Sequence, residues 1–191
     1  MHAADEGPTD DGTLVRRAQA GDRDAFGELV ERHMRSAYAA AVGLVGSRDD
    51  ALDLSQEAFA RAYRARNRID PDRPFYSWYY AILRRLCFNF IRDRRTRAEK
   101  LAEASSWLEL EATARAEADP ARAAERRDDQ RRVASAVDAL PDHEREVLVL
   151  KEFEHLKYRE IAELVGVPIG TVMSRLYSAR RRLADVLEGS K

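Results

Sequence analysis

The sequence contains a single cysteine, Cys87, among its 191 residues. One cysteine excludes an intramolecular disulfide framework and is typical of a protein from a reducing compartment. Cys87 lies in an apolar helical stretch, so we expect it to be a small core residue. The chain also lacks eighteen consecutive apolar residues, and its acidic first twelve residues have no basic start followed by an apolar run. These absences predict a soluble, cytoplasmic protein without membrane insertion.

The sequence has almost no net charge, because 33 lysines and arginines face 34 aspartates and glutamates. Neither sign dominates, so the composition as a whole indicates no acidic or basic partner. Any affinity for nucleic acid must therefore come from local clusters of charge.

Motifs for metal, redox or phosphate chemistry are also missing. The four histidines are His2, His33, His143 and His155, and none belongs to a His-Glu-x-x-His pattern. The sequence has no Cys-x-x-Cys pair and no glycine-rich phosphate loop. We therefore expect no enzyme activity, no catalytic residues, no cofactor and no metal site.

From Leu14 onward the apolar residues recur at helical spacing, and no stretch alternates in the manner of a strand. The sequence predicts an all-α fold. A first helix should end near Gly21 and a second near Gly46, with Ser47 capping a third that runs to about Arg66. The prolines in 71–74 force a loop before a fourth helix.

Between residues 98 and 132 the composition shifts to alanine, glutamate and arginine without a continuous apolar stripe. Such a segment cannot bury enough apolar surface to form a core of its own. We therefore predict two small helical domains, at 14–97 and 133–188, joined by a flexible linker at 98–132. Residues 1–13 are predicted to be a disordered acidic N-terminus.

The last sixty residues predict a helix-turn-helix. Tyr158–Ala162 leads through Gly166, where a tight reversal suits a residue without a Cβ atom. Val172, Leu176 and Leu183 then form the apolar stripe of a second helix whose other faces carry arginine and serine. A cationic face on a short docked helix suits the DNA major groove. An ordinary charged helix of a bundle is the alternative, but the turn glycine and tight spacing favour DNA.

A dense acidic patch lies between Arg48 and Glu57, where four carboxylates face one arginine, a net charge of minus three. Acidic residues at the start of a helix are stabilised by the helix dipole, which is one explanation of the patch. A docking surface for a basic partner is the other.

The fourth predicted helix begins with five aromatic residues in six positions, 75–80. Six arginines against Asp93 follow between Arg84 and Arg97, a net charge of plus five. A helix cannot turn all five rings inward, so we expect some to be exposed. Aromatic rings beside guanidinium groups suit the binding of single-stranded DNA, because bases stack on the rings and phosphates pair with the guanidinium groups. Each stacked base contributes about 1–3 kcal/mol.

Three segments resemble the extracytoplasmic-function sigma factors of bacterial RNA polymerase in their order along the chain. They are Asp50–Phe59, Phe75–Trp78, and Tyr158–Ala162 followed by Gly170–Leu176. The resemblance extends from Leu14 to Leu187. It implies a region 2 helical bundle and a region 4 helix-turn-helix joined by the linker, and it implies alternative-sigma-factor transcription initiation.

The resemblance also implies partners and sites. The partners are core RNA polymerase, through its β′ clamp helices and β flap, double- and single-stranded promoter DNA, and an anti-sigma factor; the linker would pass through the RNA exit region. The residues implied in polymerase docking are Asp49, Asp50, Asp53, Leu54, Gln56 and Glu57. Those implied in minus-ten binding and melting are Ala65, Ile69, Phe75, Trp78, Tyr80, Arg84, Arg85 and Arg92, with Trp78 at the fork and a flipped base held around Ala65, Ile69, Tyr80 and Arg85. Those implied in minus-thirty-five binding are Tyr158, Arg159, Thr171, Met173, Ser174, Arg175, Tyr177, Ser178, Arg180 and Arg181.

Three positions depart from the family pattern. Arg85 stands where many relatives have asparagine, Met173 where lysine or arginine is usual, and Ser178 where arginine is common. If position 173 touches the DNA backbone, Met173 should flatten the salt dependence of duplex binding by about one phosphate.

A helix-turn-helix regulator that acts without a sigma role is the alternative function. It would explain Tyr158–Leu183 but not the aromatic and basic residues of 75–97. An interaction adaptor would explain the acidic patch alone.

Overall fold

The computed structural model describes residues 10–105, 133 and 135–188, and these residues form helices joined by short connections. The helices are α1 (Asp11–Gln19), α2 (Arg23–Val45), α3 (Arg48–Arg64), α4 (Phe75–Ser105), α5 (Asp142–Glu152), α6 (Tyr158–Val165) and α7 (Ile169–Glu188), with a 3-10 turn at Arg66–Arg68. No strand occurs in this part of the chain. The predicted all-α class is confirmed.

The helix ends follow the capping chemistry of the sequence. The backbone N–H of Asp50 donates to Ser47 Oγ at 3.4 Å, which caps α3 as predicted. Gly46 ends α2 in the left-handed conformation, with a φ of 74°. Asp10 and Asp22 accept from backbone N–H groups in the first turns of α1 and α2.

Three predicted boundaries differ from the structure. Helix α1 begins at Asp11, inside the segment predicted to be disordered, because Asp10 supplies its cap. Helix α3 ends at Arg64, and the chain passes into the 3-10 turn before the loop. Helix α4 continues past residue 98 to Ser105, because adding good helix formers to an existing helix needs no new nucleus. The remainder of the predicted linker lies outside the described residues.

Helices α1 to α4 enclose the core of the first domain. Leu14, Leu29, Leu44 and Leu83 are each fully buried in it. Cys87 is buried as expected, and this burial raises the pKa of its thiol to about 12.

The loop between α3 and α4 is fixed to α1. Gln19 Nε2 donates to the backbone carbonyls of Arg66 at 3.0 Å and Ile69 at 2.8 Å. Arg66 Nε donates in return to the carbonyl of Ala18 at 3.0 Å. These bonds hold the loop at Ile69, which is 4% exposed, against α1.

Helices α5 to α7 pack against one another through buried apolar residues that extend the same continuous core. Leu150, Ile161, Val172, Leu176 and Ala179 contribute to it from the three helices. The arrangement is compact because α7 contacts both α5 and α6.

The two domains also contact each other, since α5 packs on α2 and α6 on α4. A Cβ atom at Gly43 would lie 2.6 Å from Val149 Cγ1, so the helices meet where α2 has no side chain. Among the described residues, no helix is both long enough and apolar enough to cross a membrane.

Candidate nucleic-acid interface

Helices α6 and α7 form the predicted helix-turn-helix. Gly166 ends α6 with a φ of 74°, and a Cβ atom there would meet nothing within 4 Å. The turn therefore requires glycine for its backbone conformation rather than for space. Val172, Leu176 and Ala179 dock the inner face of α7, which leaves its outer face free.

The outer face of α7 carries two large side chains with apolar surface. Met173 is 53% exposed and Tyr177 is 69% exposed. The Ser174 hydroxyl donates to the carbonyl of Thr171 at 3.0 Å, one turn earlier. Of the predicted minus-thirty-five residues, the exposed ones are Arg159, Met173, Ser174, Tyr177, Arg180 and Arg181, and the half-buried ones are Tyr158, Thr171, Arg175 and Ser178.

Carboxylates of α5 already hold two arginines of α7. Arg180 Nη2 donates to Glu152 Oε1 at 2.8 Å, and this bond raises the pKa of Arg180. Arg182 Nε lies 3.1 Å from Glu144 Oε2. Arg175 and Arg181 form no ion pair within the described part of the chain. Arg181, which is exposed, is therefore the more readily available cation for a phosphate.

The aromatic residues of α4 are more buried than the sequence predicts. Phe75, Tyr79 and Tyr80 are fully buried, and Tyr76 and Trp78 are half-buried. The expectation that some rings are exposed is therefore met only in part, by the half-buried Trp78 and Tyr76. Helix α4 buries a second face because α5 and α6 of the other domain cover it.

The residues expected around a flipped base are not all accessible in this conformation. Ala65 caps the C-terminus of α3 and is half-buried, and Arg85 is exposed. Ile69 and Tyr80 are buried, so a base reaches them only after neighbouring atoms move.

The arginines of α4 divide into two groups. Arg84 pairs with Glu146, Arg94 donates to the carbonyl of Val45 at 2.9 Å, and Arg95 donates to the carbonyl of Asp138 at 3.3 Å. The exposed Arg85 and Arg92 remain on the surface, where Arg92 bonds its neighbour Asn89 at 3.2 Å. Three of the six arginines thus bond residues outside α4.

The acidic patch forms one exposed face of α3. Among its predicted docking residues, Asp49, Asp53 and Gln56 are exposed, and Asp50, Leu54 and Glu57 are half-buried. Glu57 accepts a hydrogen bond from Arg61 Nε at 2.7 Å, and this bond lowers the pKa of Glu57. The negative charge is therefore concentrated toward the start of α3.

Sequence reasoning missed two features of these surfaces. Leu52 is 44% exposed on the same face as Asp49 and Asp53, which adds an apolar contact to the acidic patch. Its position on the polar side of the α3 helical repeat is a signal that could have revealed it. Glu146 is completely buried beside Tyr80 and Arg84, and no pattern near it predicts a buried carboxylate.

Metal chemistry finds no support in the described residues, where no group of three histidine, cysteine, aspartate or glutamate side chains could hold an ion.

Two family models match the chain, one for each domain. The model for Sigma-70 region 2 matches residues 29–97, and the model for Sigma-70 region 4 matches residues 130–183.

Relatives match nearly the whole length. The RNA polymerase sigma-H factor of Pseudomonas aeruginosa is 34% identical over 93% of this chain and 94% of its own. The ECF RNA polymerase sigma factor SigW of Bacillus subtilis is 30% identical over 91% of this chain and 94% of its own.

Solved structures share the fold. CnrH, in complex with the cytosolic domain of CnrY, superposes with a TM-score of 0.69 at 26% identity, covering 96% of this chain and all of that one. The sigma factor RpoE of Bartonella quintana, in complex with the anti-sigma factor NepR, has a TM-score of 0.58 at 24% identity and covers 87% of this chain and 98% of its own. The second likeness concerns the fold alone.

Proposed function

We propose that this chain, which belongs to the extracytoplasmic-function sigma factors of the sigma-70 family, takes part in transcription initiation through three surfaces. They are the outer face of α7, the start of α4 and the acidic face of α3. As such a factor, it binds core RNA polymerase and recognises promoter DNA. The observation that carries the proposal is the order of region 2 and region 4 along a chain whose relatives align over more than nine-tenths of their length.

Helix α7 enters the major groove of the minus-thirty-five element. Its inner face is fixed by Val172 and Leu176, so its exposed Met173, Ser174 and Tyr177 can approach base edges. Arg181 and Arg159, both exposed, supply charge to phosphates. Arg180 provides a further phosphate contact once it releases Glu152 and binds a phosphate in its place.

The start of α4 opens and holds the minus-ten element. Trp78 is half-buried, so part of its ring is accessible to a base at the edge of the melted region. Arg85 and Arg92 lie further along the same helix and are exposed to the displaced strand. Taking a base out of the stack costs a few kcal/mol, which a small number of stacking and phosphate contacts offsets.

The acidic face of α3 docks on the basic clamp helices of the β′ subunit. Asp49 and Asp53 supply the charge and Leu52 supplies an apolar contact at its centre. Charge complementarity speeds the encounter and fixes its orientation, while burial of the exposed Leu52 in the complex slows dissociation. The second domain contacts the β flap.

An anti-sigma factor is the further partner we propose. CnrH was solved with the cytosolic domain of CnrY, and this chain matches CnrH along almost its entire length. We also propose that the protein acts in the cytoplasm, where core polymerase is found, and that it has no catalytic activity of its own.

A helix-turn-helix regulator acting without polymerase is disfavoured. It would account for the region 4 match at residues 130–183 but not for the region 2 match at residues 29–97.

Transcription by purified core polymerase on genomic promoter fragments tests the function. Discrete start sites that require this protein are the expected result, and their sequences would reveal both promoter elements. Duplex binding without any protein-dependent start would instead support the regulator.

A further inference from the structure

The contact between the two domains has no part in the function proposed above. It centres on Glu146 of α5, a carboxylate with no exposed surface, which lies against α4 of the other domain. A carboxylate buried this completely is costly unless its oxygens are paired.

Both oxygens of Glu146 are paired across the domains. Arg84 Nη2 donates to Oε2 at 2.8 Å, and Arg84 Nε donates to Oε1, which makes a two-pronged ion pair. The Tyr80 hydroxyl donates to the same Oε1 at 3.2 Å. Burial and the nearby Glu146 charge raise the pKa of Tyr80, so its hydroxyl keeps the proton that it donates.

Two neighbours in α5 strengthen the contact without using carboxylates. The buried Arg145 donates to the carbonyl of Leu44, near the end of α2, at 3.2 Å. One turn after Arg145, Val149 fills the space above Gly43. The contact is thus held by an ion pair, a hydrogen bond to a helix end and close apolar packing.

Tyr80 and Arg84 belong to the surface proposed to bind single-stranded DNA. A phosphate and a carboxylate offer the same paired oxygens to a guanidinium group, so one Arg84 side chain cannot serve both in this geometry. The buried Tyr80 ring cannot stack on a base while Glu146 is in place.

We propose that Glu146 competes with single-stranded DNA for the Tyr80–Arg84 site, so that the free chain binds such DNA weakly while its domains are in contact. The inference rests on the proposed role of α4 in promoter opening. A partner that separates the domains removes the competitor and exposes the site, so DNA binding and domain separation are coupled.

Two variants of the full chain test the competition from opposite sides. Glu146→Gln keeps the shape of the side chain but removes its charge. Gly43→Ala leaves every DNA-facing residue intact, and its new methyl group collides with the rigid Val149. Both should bind a fluorescein-labelled single-stranded oligonucleotide of random sequence about tenfold more tightly than wild type, as measured by anisotropy. Small-angle scattering should show a larger radius of gyration for Gly43→Ala.

The chain offers a matched control for each variant. Glu163→Gln removes the same charge from an exposed position on α6. Gly27→Ala adds the same methyl group to α2 where it meets nothing within 4 Å. Both controls should retain the wild-type affinity and radius of gyration.

Unchanged DNA affinity in Glu146→Gln and Gly43→Ala would overturn the proposal. So would a Gly43→Ala protein that separates its domains by scattering without gaining affinity. Polymerase-dependent transcription by the same proteins distinguishes this failure from a failure of the proposed function. Normal start sites with unchanged DNA affinities would contradict only the competition by Glu146. Absent start sites would contradict the proposed function.

Discussion

At the scale of single residues, Trp78 carries the most specific role proposed for the first domain. Its ring lies within the first turn of α4 and is half-buried, while the adjacent Ser77 is exposed and carries no ring. A substitution at position 78 therefore removes the ring, and a substitution at position 77 changes a neighbour without removing a ring.

Trp78→Ala should leave polymerase binding intact and reduce promoter opening about tenfold to a hundredfold, the equivalent of one stacked base. Permanganate reactivity of promoter thymines measures the opening. Ser77→Ala is the control and should match wild type. Wild-type reactivity in the Trp78→Ala complex would contradict the assigned role.

Met173 is the second residue whose role can be isolated. Its side chain is 53% exposed on the outer face of α7. Met173→Lys should make log K fall more steeply with log salt, by about 0.9, if the new ammonium group reaches a phosphate. The measurement is a salt titration of duplex binding to a promoter identified by transcription.

Ala60→Lys supplies the control for that titration, because it adds the same charge at an exposed position of α3. It should leave the salt slope at the wild-type value. Equal salt slopes for wild type and Met173→Lys would show that residue 173 does not contact the DNA phosphates.

Single buried residues were also where the sequence was least informative. Glu146 and Arg145 have no exposed surface, although charged residues are usually found in water. Their partners, Arg84 and Leu44, lie more than sixty residues earlier in the chain. Nothing local in Glu144–Val147 specifies such distant contacts.

At the scale of elements, the acidic face of α3 combines unequal carboxylates. Asp53 is exposed and has no ion pair among the described residues, whereas Glu57 is held by Arg61 and lies 3.6 Å from Arg64. The two acids should therefore differ in what they contribute to a basic partner.

Asp53→Lys should weaken binding to core polymerase about tenfold, and Glu57→Lys should weaken it less, because Arg61 already offsets the Glu57 charge. Reversing both should weaken binding most. Titration of labelled protein with core polymerase provides the affinities. Glu31→Lys, at an exposed position of α2, is the control. Unaltered affinity in the double variant would remove the docking assignment.

The helices and most of their ends were the features of this structure that the sequence predicted best. Gly46, Ser47 and Gly166 mark helix ends through backbone conformation and capping, which depend on neighbours within four residues. The end of α4 was missed because its composition beyond residue 98 supports helix without supporting a core. Periodicity identifies helices well, but it does not tell how many faces of a helix another domain will cover.

At the scale of the whole molecule, the burial of Glu154 makes the stability of the fold depend on pH. Glu154 follows α5, and burial raises its pKa although Ser36 of α2 and the neighbouring His155 act in the opposite direction. A raised carboxyl pKa means that the folded chain binds this proton more tightly than the unfolded chain does. The favourable contribution is therefore present at low pH and is lost as the pH rises through the pKa of Glu154.

Glu154→Gln should raise the thermal unfolding midpoint near pH 7, because the neutral amide avoids burying a charge. The advantage over wild type should shrink as the pH falls and Glu154 becomes protonated. Thermal unfolding followed by circular dichroism gives both midpoints. Glu163→Gln should show no such trend, and a difference for Glu154→Gln that is constant with pH would contradict the assignment.

The thiol of Cys87 has a consequence for how this protein can receive signals. Burial raises the pKa of the thiol to about 12, so it stays protonated at neutral pH, and the side chain is inaccessible as well. Peroxide and other electrophiles react with thiolates, so they find no target in the only sulfhydryl of the chain. An oxidative stimulus that acts on this protein must therefore use a group other than this thiol.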